Sequence, residues 1–586
     1  MTSSLFRVLF LAAACLLVLG ACTPADDEDQ PTTTLESAGS VPDATTTTMT
    51  TTAVPQRGGA AVVGETDEPM TLNSFLPGGS SLIVNVLGQA YSAGAQEISG
   101  YTLELEPELL VELPTTENGG VALNDDGSMT VSYQIRDDAV WEDMTPVSGA
   151  DFQFTYETIV DESLPIARTN YEDIVSTEVG EKSFSFTMEL PTVRYELMFG
   201  EIIPEHAVAG TDFEADWNDT RWPSSGPFVF ENWVAGESLT VVRNDNYWKK
   251  DSDTGSALPH LDSVTFRFLA DSEEAIDAFV ARDVDIINPD PTSNAIDALR
   301  SLEPEGAHVE VLSGPFWEHL NFQFGPGRFT QNPASCNEFL EMRLAVVQSI
   351  DRGALTEALF GGQVMPLPSY VDAFLPELSH GAWDRYELDA VAASEHYASA
   401  VELAGVDCTV VFSTTADNDA RVAMAAMLTD MFATTGIPFE VHLEDSSLLL
   451  GTTMESGRWD VGEWAWTGSP GLSGLVAIHD LFDPKSPPPE GANFYRWGTP
   501  DSSVVDAATE RFGEVHTQMN STIDEAELVS LIADAEQILA ENIVFLPLYS
   551  RPVTGAVWAD EIGGYKLNPT LAGHTWNIEN WYRTDR

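Results

Sequence analysis

Aromatic side chains are where this sequence offers chemistry. Trp459, Trp464 and Trp466 crowd one short segment, and Trp141, Trp233, Trp248 and Trp317 stand among polar neighbours. Flat rings bury a large area at small entropic cost, so they suit a pocket that grips a peptide or a sugar without demanding one particular side chain. The competing reading is that tryptophans fill the core, the commoner outcome for any single one. Trp464 and Trp466 are two residues apart, so on a strand they share a face and act together. Catalytic chemistry is harder to find. Beyond the first segment there is no G-x-S-x-G, H-E-x-x-H, Walker loop or paired C-x-x-C. Asp137-Asp138 and Glu142-Asp143 are adjacent carboxylates, but a chain with 93 acidic residues makes such pairs by chance, so they do not mark acid–base work. The histidines are scattered, none at the spacing of a helical metal pair, and a metal site would need tertiary clustering, with His319 the one to follow. These observations argue for a binding protein and against an enzyme, with no cofactor and no metal ligand assigned.

A chain of 586 residues, 43% of them apolar, can bury a large core and suggests more than one domain. Its formal charge of −67 comes with no clustering of basic residues, which disfavours nucleic acid as a ligand. Such acidity fits either a solvated, soluble surface or a saline habitat, and it names no ligand.

The first segment carries Arg7 and then an apolar run, residues 8–19, too short to span a bilayer comfortably, so it reads as a signal peptide. The run ends in Leu19-Gly20-Ala21-Cys22, which resembles the bacterial lipobox, in which the cysteine sulfur receives diacylglycerol and becomes the first mature residue. A plain secretory signal followed by a chance cysteine is the alternative. Residues 23–56 are acidic, Thr-rich and nearly free of large apolar side chains, hence a tether that cannot fold, spanning on the order of 30 Å. Only Cys336 and Cys408 then remain. Their pairing in an oxidising compartment is an open expectation, and it would constrain the unfolded chain by about 4 kcal/mol.

From Gly58 onward short strands alternate with amphipathic helices, the pattern of α/β architecture. Met129, Val131, Tyr133 and Ile135 alternate with polar residues after an Asn124-Asp125-Asp126-Gly127 turn, and Phe184, Phe186 and Met188 make a similar face. Ser148 and Asp151 predict a capped helix to Val160. Strands at 264–269 and 284–287 flank a helix at 272–282, a βαβ unit. Further strands are expected at 317–324, 408–413, 437–443 and 543–549, with helices at 338–352, 420–434 and 523–540. No internal repeat and no second low-complexity linker interrupt the body, which favours one multi-lobed unit.

These landmarks, in order, resemble the extracellular solute-binding proteins of ABC importers, family 5, the peptide and nickel type. Gly58-Gly59 with Ala61-Val62-Val63, then Glu68-Pro69 and Leu72-Asn73, is similar to the family's opening strand and turn. Trp141-Glu142-Asp143-Met144-Thr145-Pro146 and Ala150-Asp151-Phe152 resemble its W-x-D-G-x-P and A-D-V signature, with Met144 in place of the glycine. Ser225-Gly226-Pro227-Phe228 with Arg243-Asn244, Leu258-Pro259-His260-Leu261-Asp262 with Asp283-Val284-Asp285, and Met342-Arg343-Leu344-Ala345 with Ser349-Ile350-Asp351-Arg352 look like three further blocks.

The resemblance implies a two-lobed periplasmic-binding-protein-like α/β fold of type II, with three subdomains, mixed sheets and hinge strands. Its expected bounds are a signal at 1–21, a lipidated cysteine and linker at 22–56, lobe I at 57–312 with an insertion at about 101–221, lobe II at 313–544, and a return to lobe I at 545–586. It implies a monomeric receptor, lipid-anchored at the outer face of the cell membrane, that closes on a solute and delivers it to an ABC permease. The segment Glu463-Trp464-Ala465-Trp466-Thr467-Gly468-Ser469-Pro470 resembles the family's ligand-facing loop without the aspartate that pairs with a peptide amine. Glu463 is the expected substitute anchor, with Trp464, Trp466, Trp317, His319 and Asn321 as pocket contacts. An ordinary polar strand face is the other reading of His319 and Asn321. An oligopeptide or peptide-like cargo is expected first, a non-peptide solute such as an oligosaccharide or a metal chelate second, and an exported lipoprotein hydrolase is the rival from another class.

Overall fold

The computed structural model describes residues 55–79, 81–252, 254–325, 334–469, 471–489 and 491–584. The expected signal peptide, the expected lipidation site Cys22 and nearly all of the Thr-rich segment fall outside the described residues. Among those described, no helix is long and apolar enough to cross a membrane.

The chain enters on β1 (Ala60–Glu65) and turns into α1 (Leu82–Tyr91), which buries Ile83, Val84, Val86, Leu87, Ala90 and Tyr91. It then builds a separate antiparallel sheet from β2 (Val121–Leu123), β3 (Met129–Gln134), β4 (Ile174–Val179) and β5 (Ser183–Met188), in the order β2-β3-β5-β4. The two alternations read from the sequence meet in register, Met129 with Met188, Val131 with Phe186 and Tyr133 with Phe184, so all six side chains share one apolar face. Helix α2 (Gly149–Val160) covers that face through Phe152, 5.8 Å from the Tyr133 ring. Its start is the expected capping box. The Ser148 N–H donates to Asp151 at 2.8 Å, and the Ala150 N–H donates to the Ser148 hydroxyl at 3.3 Å.

The chain returns through β6 (Phe228–Val234), β7 (Ser238–Arg243), β8 (Ser263–Phe268), α3 (Ser272–Val280) and β9 (Ile286–Ile287). Strands β8 and β9 both run parallel to β1, which lies between them, so α3 is the crossover of the expected βαβ unit. Next comes the sixteen-residue β10 (Ala307–Phe322), then β11 (Val410–Thr415), α4 (Asp419–Thr435), β12 (Phe439–Glu444), β13 (Val461–Thr467), α5 (Gly471–Ile478), α6 (Ala507–Met519), α7 (Glu525–Glu541) and the returning β14 (Phe545–Trp558). Ten strands make one mixed sheet, β12-β11-β13-β10-β14-β9-β1-β8-β7-β6.

The long antiparallel pair β10 and β14 joins the two halves of this sheet, and its register breaks between Ser313 and Trp317. Pro315 has no N–H to give a ladder there, and a Cβ on Gly314 would sit 2.5 Å from the Arg551 carbonyl oxygen, so the close approach requires glycine. The strands read at 317–324 and 543–549 are thus pieces of longer crossing strands. The helix expected at 338–352 is two helices, Leu340–Val347 and Arg352–Phe360, because Asp351 accepts the Ala354 N–H at 2.9 Å and begins a new one.

Apolar cores divide the body in the same way. One surrounds β10 to β13 and the later helices, with Trp317, Trp383, Trp459, Trp464 and Trp497 fully buried. A second fills the four-stranded sheet, and a third packs β1 and β8 against α1 and the C-terminal Ile578 and Trp581. Cys336 and Cys408 form a disulfide with Cα atoms 5.8 Å apart, tying the lead into the 340–347 helix to the start of β11.

Candidate functional site

Strands β10 and β13 bring the expected contact residues together: Trp317 lies opposite Trp466 and His319 opposite Trp464. They meet inside the C-terminal lobe. Trp317, His319, Asn321 and Trp464 are at most 1% exposed and line none of the cavities described below. The His319 ring stacks on Trp317 with centroids 4.0 Å apart. Trp466, half-buried and stacked on Phe494, donates its indole N–H to the Tyr495 oxygen at 3.0 Å. The Tyr495 hydroxyl is then free to donate to His319 Nε2 at 2.8 Å, which leaves the His319 proton on Nδ1, facing the Trp317 carbonyl at 3.2 Å. Burial pushes His319 down to about 3, so the ring stays neutral and this chain of donors is fixed. In this structure the expected contacts Trp317, His319, Asn321 and Trp464 are packed inside the lobe, because β13 lies inside the ten-stranded sheet and this face turns inward.

Glu463, the expected charge anchor, points to the opposite sheet face with Glu318 and is fully buried in this structure. Arg421 reaches both Glu318 oxygens at 3.2 Å, and the Arg551 Nε also donates to Glu318. Burial opposes the Glu318 charge, yet Arg551 and Arg421 hold its carboxyl at about 2. Glu463 accepts from the Thr414 hydroxyl at 2.6 Å and lies 3.6 Å from Arg421, while its second oxygen meets no donor. Burial and the Glu318 charge push Glu463 far above the usual carboxylate range, which favours its neutral form beside the charged Glu318.

Open space lies on either side of α1. A cavity of about 430 Å³ is lined by α1 residues such as Asn85 and Gly88, by Glu97, Glu108, Glu201 and Arg221, and by Ser469 from the loop after β13. Arg221 pairs with Glu201 and donates to the Leu72 carbonyl at 2.6 Å. Lys249 bonds Glu97 at 2.7 Å and Glu579 at 3.3 Å, while burial and the Glu97 charge push Glu108 up to about 8. A second cavity of about 230 Å³ is lined by Glu65 and Asp67 at the end of β1, Leu82 and Ile83 at the start of α1, Phe316 at the break in β10, Arg551 in β14, and His574. The segment around 570–574 contributes to both. Elsewhere, the turn Val193–Leu197 docks on the C-terminal lobe, where Arg194 grips Asp480 at 2.6 and 2.8 Å and His516 meets the same carboxylate at 2.8 Å.

Among the described residues, no group of three or more His, Cys, Asp or Glu is placed to hold a metal ion. The sequence reading missed Arg551, Glu65, Asp67 and the Glu97–Glu108 pair. A signal existed for one of them: Arg551 is a lone cation inside the apolar 545–558 strand.

Paired α/β halves joined by long crossing strands, with cavities walled from both, define a solute-binding protein of the periplasmic type. The family model for bacterial extracellular solute-binding proteins, family 5 (middle region), matches residues 117–475, and the chain belongs to that family. The oligopeptide-binding protein OppA of Bacillus subtilis (strain 168) is 21% identical over 453 residues, covering 72% of this chain and 76% of its own. The fold is shared with the periplasmic EDTA-binding protein EppA, at TM-score 0.74, 19% identity and coverage of 91% of this chain and 98% of that one. It is likewise shared with the Bacillus subtilis oligopeptide-binding protein AppA in complex with a nonapeptide, at TM-score 0.66, 19% identity and coverage of 90% and 100%.

Proposed function

We propose that the protein is the solute receptor of an ABC importer, capturing an oligopeptide or peptide-like solute between its lobes and presenting it to the permease without chemical turnover. The observation that carries this reading is the pair of cavities flanking α1, the larger closed on one side by Ser469 from the loop after β13 and the smaller lined by Glu65 of β1 and by Phe316 of β10. Lobe I comprises residues 57–312 with its insertion and the return at 545–586, and lobe II comprises 313–544. The crossing strands β10 and β14 concentrate the hinge at the register break near Gly314, so a few backbone torsions absorb closure. A lipid on Cys22 and the acidic tether keep the receptor, a monomer, at the outer face of the cell membrane. The peptide-binding names of relatives support this cargo.

One observation favours a non-peptide solute as the second reading: of the carboxylates lining the larger cavity Glu97 is engaged by Lys249 and Glu201 by Arg221, and Ser469 from the loop after β13 adds none. An unpaired ammonium left there would cost several kcal/mol, whereas a sugar or a chelate has none to place.

Native mass spectrometry of the purified protein, followed by a thermal-shift panel of peptides, oligosaccharides and metal chelates, tests both readings. Peptide pools should raise the midpoint. A response confined to sugars or chelates rejects the peptide cargo, and X-ray scattering that stays unchanged with a stabilising solute rejects closure.

A further inference from the structure

We propose that the smaller cavity holds a carboxylate of the captured solute between the Arg551 guanidinium and the N-terminus of α1, and that this solute also carries a cationic group. The inference rests on the receptor reading above and adds the charges the cargo must display.

Arg551 is tied from behind. Its Nε donates to the buried Glu318, which Arg421 also grips, and this is its one hydrogen bond among the described residues. The side chain remains 34% exposed and lines the cavity, so its two Nη groups are unspent. A guanidinium fixed through Nε presents a planar pair of donors that matches the two oxygens of a carboxylate. The second observation comes from the facing wall. Leu82 and Ile83 bring the first turn of the ten-residue α1 to the same cavity, and Ser81 at the N-cap makes no side-chain bond to it. First-turn amides without a cap, at the positive end of a helix dipole, favour an anion.

The rest of the lining restricts which anion. Glu65, Asp67 and Asp290 share the cavity with Arg551, its only Lys or Arg among the described residues. Glu65 is occupied by His574 at 2.8 Å and Asp290 by the Ser272 hydroxyl at 3.1 Å, whereas Asp67 has no hydrogen-bond or ion-pair partner among the described residues. A bare anion entering here meets three carboxylates for one guanidinium, and net repulsion opposes it. A solute with an ammonium or guanidinium group as well as a carboxylate satisfies both sets. At about 230 Å³ the cavity is smaller than a site for a whole drug-sized ligand, so it receives a terminal group rather than the entire cargo.

The test uses random tetrapeptide pools, with free or amidated C-termini, on the full mature chain. The thermal midpoint is followed first, and individual binders are then measured by calorimetry. The free-acid pool should stabilise the wild type, and amidation should weaken binding on the order of 10- to 100-fold, the scale of a charge-assisted bidentate contact. Arg551→Gln should erase that preference, and Arg551→Lys should keep only part of it. Because Arg551→Gln leaves Glu318 with a single guanidinium, the double variant Glu318→Gln/Arg551→Gln controls for folding and should lose the preference equally. Equal binding of acid and amide by the wild type overturns the carboxylate anchor and leaves the receptor reading standing. Stabilisation by neither pool overturns both.

Discussion

Replacing His319 with glutamine and following stability from about pH 7 to about pH 4 asks whether the aromatic stack in the C-terminal lobe serves packing or cargo. Burial lowers His319 from 6.5 to about 3. The unfolded chain therefore takes a proton near 6.5 that the folded chain refuses until about 3. The stabilisation from a neutral His319 is complete above 6.5 and is lost as pH falls towards 3. At about pH 4 the unfolded state has gained roughly 2.5 pH units of proton binding with almost none in the folded state, which at about 1.4 kcal/mol per unit is about 3 kcal/mol. His479, buried and lowered to about 4, adds a loss of the same sign, but it is present in both proteins and cancels in the difference. Urea unfolding read by tryptophan fluorescence at the two pH values should show the wild type losing about 3 kcal/mol more than His319→Gln. At neutral pH the variant should be less stable by about 1 kcal/mol or more, since the Tyr495 hydrogen bond and the stack on Trp317 are disturbed. Its solute affinity there should stay within about threefold, because the ring borders neither cavity flanking α1. Equal pH losses in the two proteins refute the buried neutral ring, and abolished binding in a folded variant restores His319 as a solute contact.

The carboxylates on the other face of β10 and β13 should respond oppositely. Glu463→Gln replaces a group already neutral and should change stability by under about 1 kcal/mol, whereas Glu318→Gln strips a buried charge from two guanidiniums and should cost about 3 kcal/mol in denaturant titration. Equal costs would mean that the shared proton sits elsewhere. For Cys336 and Cys408, mass measurement of denatured protein should show alkylation only after reduction, and reduction should lower stability by about 4 kcal/mol, the loop entropy of a 72-residue separation.

What could be read from the sequence was local. The period-two faces at Met129–Gln134 and Ser183–Met188, and the Ser148–Asp151 cap, need only neighbours along the chain, and they form as read. Met144, which stands where the signature has glycine, adopts φ +71 with its side chain exposed, so the turn keeps its left-handed backbone and bears the side chain in solvent. The crossing strands were hidden because Gly314-Pro315 in β10 and Pro552 in β14 read as breaks, although an antiparallel pair can carry them at an irregularity. The burial of the expected site residues was hidden for a different reason. Alternation shows that Trp464 and Trp466 share a face, but not whether that face meets a cleft or a core, and a strand in the middle of a ten-stranded sheet turns it inward. Arg551 finds Glu318 across 233 residues, a pairing no local pattern announces.

Two features place the proposed binding event under the control of closure. Arg551 lies on β14 opposite the break at Gly314, so a solute carboxylate held by Arg551 and by α1 would sit beside the pivot. Away from that pivot, the Arg194–Asp480 pair ties the inserted sheet's turn to lobe II. Burial works against Asp480, yet His516 and Arg194 hold it at about 2, so at neutral pH the carboxylate is fully charged and the tie persists. Asp480 is a third exposed, and a partly solvated pair of this kind contributes on the order of 1 kcal/mol. A tie of that size biases the halves towards each other without locking them, since about 1.4 kcal/mol changes a two-state ratio only tenfold. The solute must then supply the remaining preference for the closed form through contacts made from both walls. In the smaller cavity the lobe II side of such a contact is Pro315 and Phe316, since Arg551 and α1 both belong to lobe I.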